Sequence, residues 1–208
     1  MPSAVLVDLD RTLIDLQSFT DYDAAWADVE ALVPQAALRA VPETGWSSAT
    51  RACMGLLTSL GEGELWTTVN SVVSFFERAA IAYSTPMPGA GEFVRALADR
   101  PCAVVTLLPE DVAREVLARH GIVIPVVIGR DPRIRPKPSG EGLLRALELL
   151  GSSPEGAVMV GDSTWDAAAA ADAGVGFIGV HSPPGEFTAL FPDVPSLESL
   201  ADVLASLS

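Results

Sequence analysis

Four short stretches hold the side chains of this sequence best suited to chemistry. "DLDRT" carries Asp8 and Asp10, two residues apart and so able to face one side of an extended chain. "VVTLL" supplies the hydroxyl of Thr106, "RPKP" supplies Lys137, and "VGDSTWD" supplies Asp162 with Asp166 one helical turn later. Converging carboxylates repel one another unless a cation lies among them, and hard oxygen ligands of this kind suit Mg²⁺ in company with a phosphate. Lys137 is the only lysine in 208 residues. A compact ammonium on a flexible stem fits places that a planar guanidinium fork does not. Taken singly, each stretch has a plainer reading: turn or helix-cap acids, a β-former at a strand end, a solvated surface charge. Their coincidence at four successive strand ends is what favours chemistry.

Strands must bring these residues together. "AVLVDLD" is a short β-branched run ending in acids, the pattern of a buried strand. From about residue 90 onward, apolar strand runs ("CAVVTLL", "PVVIG", "GAVMVGD", "VGFIGV") alternate with amphipathic helical stretches, the last of them "SLESLADVLASL". This alternation predicts right-handed βαβ units and a parallel sheet covered on both faces. Ligands of such a sheet bind beyond the carboxyl ends of its strands, where the four stretches fall. Between the first strand and the rest, three helical stretches ("YDAAWADVEALVPQAALRAV", "SSATRACMGLLTSL", "ELWTTVNSVVSFFERAAIAY") form an insert. The expected class is α/β: a Rossmann-like parallel-sheet core, residues 1–15 and 84–208, with an inserted α-helical cap domain, residues 16–83. Linkers near Asp15–Thr20 and Ser84–Gly89 would let the insert open and close.

Composition narrows the partners. Apolar residues make up 49% and charged residues 19%, enough hydrophobe for a sizeable core. The formal net charge is −14, from 13 basic and 27 acidic residues. Nucleic acids and anionic membranes need basic surfaces, so neither is an expected partner. An anionic substrate must instead be held by a few concentrated positive groups. The opening "MPSAVLVDLD" has acids where an export signal has bases, and no uncharged apolar run is long enough to span a bilayer, so a cytoplasmic protein is expected. Cys53 and Cys102 have no ligand or disulfide spacing and read as buried structural thiols. His120 and His181 have no visible catalytic partner and read as structural. Arg130, Arg133 and Arg135 offer long-range attraction for an anion, with a solvated loop as the first reading. Trp46, Arg51, Trp66 and Arg78 of the insert are candidates to face the site, but packing or surface exposure is the first reading for each.

"VLVDLDRTL", "VVTLL" and "RPKPSGEGLLRALELLGSSPEGAVMVGDSTWDAAAAADAG" resemble the four motifs of the haloacid dehalogenase-like (HAD) hydrolase superfamily. The nearest group is the phosphoglycolate-phosphatase-like branch, which carries a helical cap after the first motif. The resemblance runs along essentially the whole chain and is strongest over residues 4–14 and 136–174. It implies a Mg²⁺-dependent phosphatase acting on a small phosphorylated metabolite through an aspartyl-phosphate on Asp8. Asp10 would protonate the leaving oxygen and then activate water. Mg²⁺ would be held by Asp8, Asp162 and the backbone carbonyl of Asp10, with Asp166 in support. Thr106 would hold phosphoryl oxygens, and Lys137 would bridge nucleophile and phosphoryl group. An acid at position 10 favours phosphoester over haloacid chemistry. A phosphomutase, and a non-catalytic binding module on the same fold, are the alternatives. Two positions depart from the family's habit: Arg11, where Gly is most frequent, and Leu107, where Asn is common. Substrate and oligomeric state are not legible in the sequence.

Overall fold

The computed structural model describes residues 2–33, 46–181, 187 and 196–207. Its centre is a six-stranded parallel sheet: β1 (Ala4–Val7), β4 (Cys102–Val105), β5 (Val126–Ile128), β6 (Ala157–Gly161), β7 (Gly176–Val180) and β8 (Ser196–Leu197). The spatial order is β5-β4-β1-β6-β7-β8. β1 therefore sits between β4 and β6, with Val7 in register with both Val104 and Val160. The chain runs outward from β1 to β5 on one side and to β8 on the other, and the topological switch lies at the end of β1.

Both faces of the sheet are covered. Val5 and Val7 point to one layer, where they pack with Phe93 and Leu97, Val112 and Val116, and Val203. These neighbours belong to α4 (Ala90–Ala96) and the turn after it, α5 (Glu110–Arg119) and α8 (Leu200–Ser206). Ala4 and Leu6 point the other way, onto Leu143 and Leu147 of α6 (Glu141–Leu150) and Ala167, Ala170 and Ala173 of α7 (Thr164–Ala173). The two-residue alternation of a strand is thus spent on two cores, which is why β1 is apolar at every position.

The insert carries α1 (Tyr22–Glu30), α2 (Ser48–Ser59) and α3 (Glu64–Ala80), with a third apolar cluster around Val29, Cys53, Leu57, Val69 and Val73. Asp21 and Ser47 cap α1 and α2 by accepting the amides of Ala24 and Thr50. Trp165, on α7 of the core, is buried in this cluster, and Trp46 packs against it at 5.0 Å between ring centroids. The expected helix from Tyr22 into the 34–41 stretch is shorter: α1 stops at Glu30. The sequence has a proline at position 34, a residue type that disfavours a helix continuing through it. The remainder of that expectation, at 34–41, lies outside the described residues.

Three short strands were not expected. β2 (Ile14–Asp15) and β3 (Thr85–Pro86) pair antiparallel, so the two linkers of the insert run side by side. β8 extends the sheet at its edge beside β7. Among the described residues, no helix is long and apolar enough to cross a membrane.

Candidate active site

The strand ladders run one step past the strands and fix two of the singled-out residues. Asp8 donates its backbone N–H to the Val160 carbonyl at 2.9 Å, and Thr106 donates its own to the Ile128 carbonyl at 2.9 Å. Asp162 follows β6 directly, and Lys137 lies in the loop after β5. Asp8, Asp10, Thr106, Lys137 and Asp162 all line one cleft, which holds about 430 Å³ of space counting its open mouth. Asp166 lies behind them.

Lys137 is buried and bridges two carboxylates. Its Nζ donates to Asp8 Oδ1 and to Asp166 Oδ1, each at 2.5 Å. Asp166 is held from its other side: its Oδ2 accepts the Ser163 amide at 3.1 Å and the Ser163 hydroxyl at 2.5 Å, the capping box that starts α7. Thr12 Oγ1 donates to Asp8 Oδ2 at 3.2 Å. Asp10 Oδ1 accepts the amides of Leu16 (3.0 Å) and Gln17 (2.9 Å), so the turn after β2 orients this acid. The Thr106 hydroxyl oxygen accepts the Leu108 amide at 3.2 Å.

This packing of acids shifts their proton affinities. Burial lifts the Asp8 carboxyl to about 6, the Lys137 ammonium pulling down and the Asp166 charge pushing up. Burial lifts Asp10 to about 7 against the Gln17 and Leu16 amides. Asp162 is also raised, by burial and then by the charges of Asp8, Asp166 and Asp10. Burial alone would lower Lys137, but the charges of Asp166 and Asp8 prevail and hold the ammonium above its ordinary range. One ammonium does not offset so many buried carboxylates. Asp8, Asp162 and Asp166 bring oxygens within 4.8 Å of one another, an all-oxygen donor set that fits a hard divalent cation. The Asp10 carboxylate is not part of that group. Asp166, engaged at both oxygens, is suited to positioning.

A sequence model of the haloacid dehalogenase-like hydrolases matches residues 2–174, most of the chain. The chain is a HAD-like hydrolase. It is 32% identical to a phosphoglycolate phosphatase of Rhodospirillum rubrum over 187 residues, 84% of this chain and 78% of that one. It is 31% identical to a phosphoglycolate phosphatase of Neisseria meningitidis over 204 residues, 91% of this chain and 85% of that one. Among solved structures, a hydrolase from Pseudomonas syringae superposes with a TM-score of 0.74 at 20% identity, covering 99% of this chain and 97% of that one. A haloacid dehalogenase-like hydrolase from Bacteroides fragilis gives 0.73 at 22% identity, covering 98% and 100%. The resemblance to the phosphoglycolate-phosphatase-like branch is borne out.

Several side chains of this HAD-like hydrolase do something the sequence did not reveal. Arg130 does not belong to a solvated loop: it is 5% exposed and reaches from the loop after β5 into the insert. There it pairs with Glu77 of α3, which is fully buried, at 2.9 Å. The two are 53 positions apart, so no local spacing could have linked them. Tyr22, Trp46, Thr50, Met54 and Glu77 of the insert all face the cleft. Trp66 and Arg78 do not line it. Trp66 Nε1 donates to the Leu57 carbonyl, and Arg78 bridges Asp111 and Glu115 on α5. Arg133 and Arg135 are exposed and pair with Asp131 and Glu141. Burial pushes both Cys53 and Cys102 up to about 12, which leaves unreactive thiols. His120 contacts Ser84 Oγ at 2.9 Å, and His181 Nδ1 lies 3.2 Å from the Glu198 carbonyl oxygen.

Proposed function

We propose that this hydrolase is a Mg²⁺-dependent phosphatase that cleaves a small phosphomonoester through an aspartyl-phosphate on Asp8. The observation that carries the reading is the convergence of Asp8, Asp10, Thr106, Lys137 and Asp162 on one cleft from the ends of different strands. Asp8 is the nucleophile: one of its oxygens forms the bond to phosphorus as the bond from phosphorus to the leaving oxygen breaks. Asp10 gives its proton to that oxygen. It then takes a proton from the water that attacks the phosphorus of the intermediate and frees Asp8. A carboxyl near 7 can do both at neutral pH. Lys137 holds Asp8 in line and stabilises charge on the transferring group, and Thr106 offers its hydroxyl to a phosphoryl oxygen. Mg²⁺, when bound by the Asp8 and Asp162 carboxylates and the Asp10 carbonyl with Asp166 behind them, supplies positive charge against a dianionic substrate.

The helical insert, residues 16–83, acts as a cap over a core of residues 1–15 and 84–208. The paired linkers β2 and β3 are the natural hinge. The relatives' names make a small phosphorylated metabolite the substrate class to try first. The test is p-nitrophenyl phosphate turnover with Mg²⁺ and after dialysis against EDTA. Turnover should need the metal. Full activity in excess EDTA would refute the metal's part, and no turnover of any phosphoester would refute the phosphatase.

A further inference from the structure

The insert builds part of the cleft wall, and its polar side chains there include Gln17, Tyr22, Thr50 and Glu77. Glu77 is the charged one, and it is fully buried. Its counter-charge, Arg130, is fully committed. Arg130 Nε donates to Asn70 Oδ1 at 2.9 Å. Nη1 donates to Glu77 Oε1 at 3.0 Å and to the Leu107 carbonyl at 2.7 Å. Nη2 donates to Glu77 Oε2 at 2.9 Å and to Ser74 Oγ at 3.3 Å. A guanidinium has five N–H donors, and each has its acceptor here. Among the described residues lining the cleft, Lys137 is the only cation, and it serves Asp8 and Asp166.

Glu77, by contrast, keeps capacity. It accepts from Arg130 through both oxygens and from the Tyr22 hydroxyl at 3.2 Å, while a carboxylate can accept about four bonds. Burial, then the charges of Glu77 and Asp10, push the Tyr22 hydroxyl well above its ordinary range, so it stays a neutral O–H near both acids. Tyr22 and Glu77 line the same cleft as Asp10, the acid assigned to protonate the leaving group.

We infer that this site selects phosphomonoesters whose leaving group carries hydrogen-bond donors, hydroxyl or ammonium, and rejects those carrying a carboxylate. The inference rests on the phosphatase reading above. A leaving-group carboxylate would meet a buried carboxylate, and among the described residues lining the cleft no cation is left over for it, whereas a hydroxyl or ammonium would find an acceptor already held in place. Glu77 and Tyr22 are the specificity residues, and Arg130 positions Glu77.

The experiment is a comparison of kcat/KM for the Mg²⁺-loaded enzyme on glycerol 1-phosphate, phosphoethanolamine and 2-phosphoglycolate, with p-nitrophenyl phosphate as reference. One or both donor-bearing esters should exceed 2-phosphoglycolate by on the order of 10- to 100-fold, and which of the two leads separates hydroxyl from ammonium. In Glu77→Gln the carboxylate is gone and part of the Arg130 charge is released, so the ratio should move toward 2-phosphoglycolate. If that variant does not fold, Tyr22→Phe keeps the ion pair and should lose several-fold on the donor-bearing esters alone. A wild-type preference for 2-phosphoglycolate would overturn the inference and leave the phosphatase reading intact. If no ester is hydrolysed, the phosphatase reading fails instead. The same esters, now stable, are then titrated calorimetrically: tighter binding of the donor-bearing ones supports the inference, and tighter or equal binding of 2-phosphoglycolate overturns it.

Discussion

At the scale of single residues, Lys137 is the most informative side chain. It sits buried between Asp8 and Asp166, with 2.5 Å to each. A larger, planar guanidinium does not fit that gap. Lys137→Arg should therefore lose on the order of 100- to 1000-fold in turnover although the charge is kept. Circular dichroism at the assay temperature should remain that of the native protein. The matching control is Arg145→Lys on an exposed face of α6, where the change in stability should stay within about 0.5 kcal/mol. Near-normal kinetics in Lys137→Arg would remove the lysine from the machinery. Its importance was legible because its type is unique in the chain and its motif follows a strand. Glu77 and Arg130 were not legible: each looks like an ordinary charge until the loop after β5 brings Arg130 against Glu77 of α3, where both are buried.

At the scale of elements, the sheet could be read from strands alternating with helices, because a doubly covered strand is apolar throughout. The ribbon β2–β3 and the edge strand β8 could not, since two-residue strands carry no period. Arg11 marks another limit: it stands at φ 61°, in the left-handed region that disfavours side chains. The sequence flagged the position only as one where relatives have Gly. Gly161, at the end of β6, has a specific reason to be bare. A Cβ there would lie 2.6 Å from the Cβ of Asp166, the residue that anchors Lys137 and caps α7. Gly161→Ala should cost about 1–3 kcal/mol by overpacking. Turnover should fall by roughly 100-fold as Asp166 and Lys137 move. Thermal unfolding and steady-state kinetics on the same preparation check both. An Ala variant with unchanged turnover would mean that this contact does not hold the site.

At the scale of the molecule, a chain of net charge −14 concentrates buried acids at one place. The consequence for stability has a definite sign. Asp8 and Asp10 rise from 3.8 to about 6 and about 7 on folding, so over the range from about pH 4 to 7 the native state holds more protons than the unfolded one. Stability of the metal-free protein should then fall as pH rises through that window. A cation that binds only the native site should offset the fall, and it binds best when the carboxyls have lost their protons. The melting temperature without metal should drop between about pH 5 and pH 8, and millimolar Mg²⁺ should raise it more at the higher pH. Equal melting curves with and without Mg²⁺ at both pH values would argue against a metal site among these acids.

The most direct test of the whole account is Asp8→Asn. The amide keeps the shape of the side chain and can still accept from Lys137, but it cannot attack phosphorus. Turnover of p-nitrophenyl phosphate with Mg²⁺ should fall to the level of the buffer, while the melting temperature shows that the fold persists. If Asp8→Asn kept a tenth of the wild-type rate, Asp8 would not be the nucleophile and the aspartyl-phosphate route would be wrong.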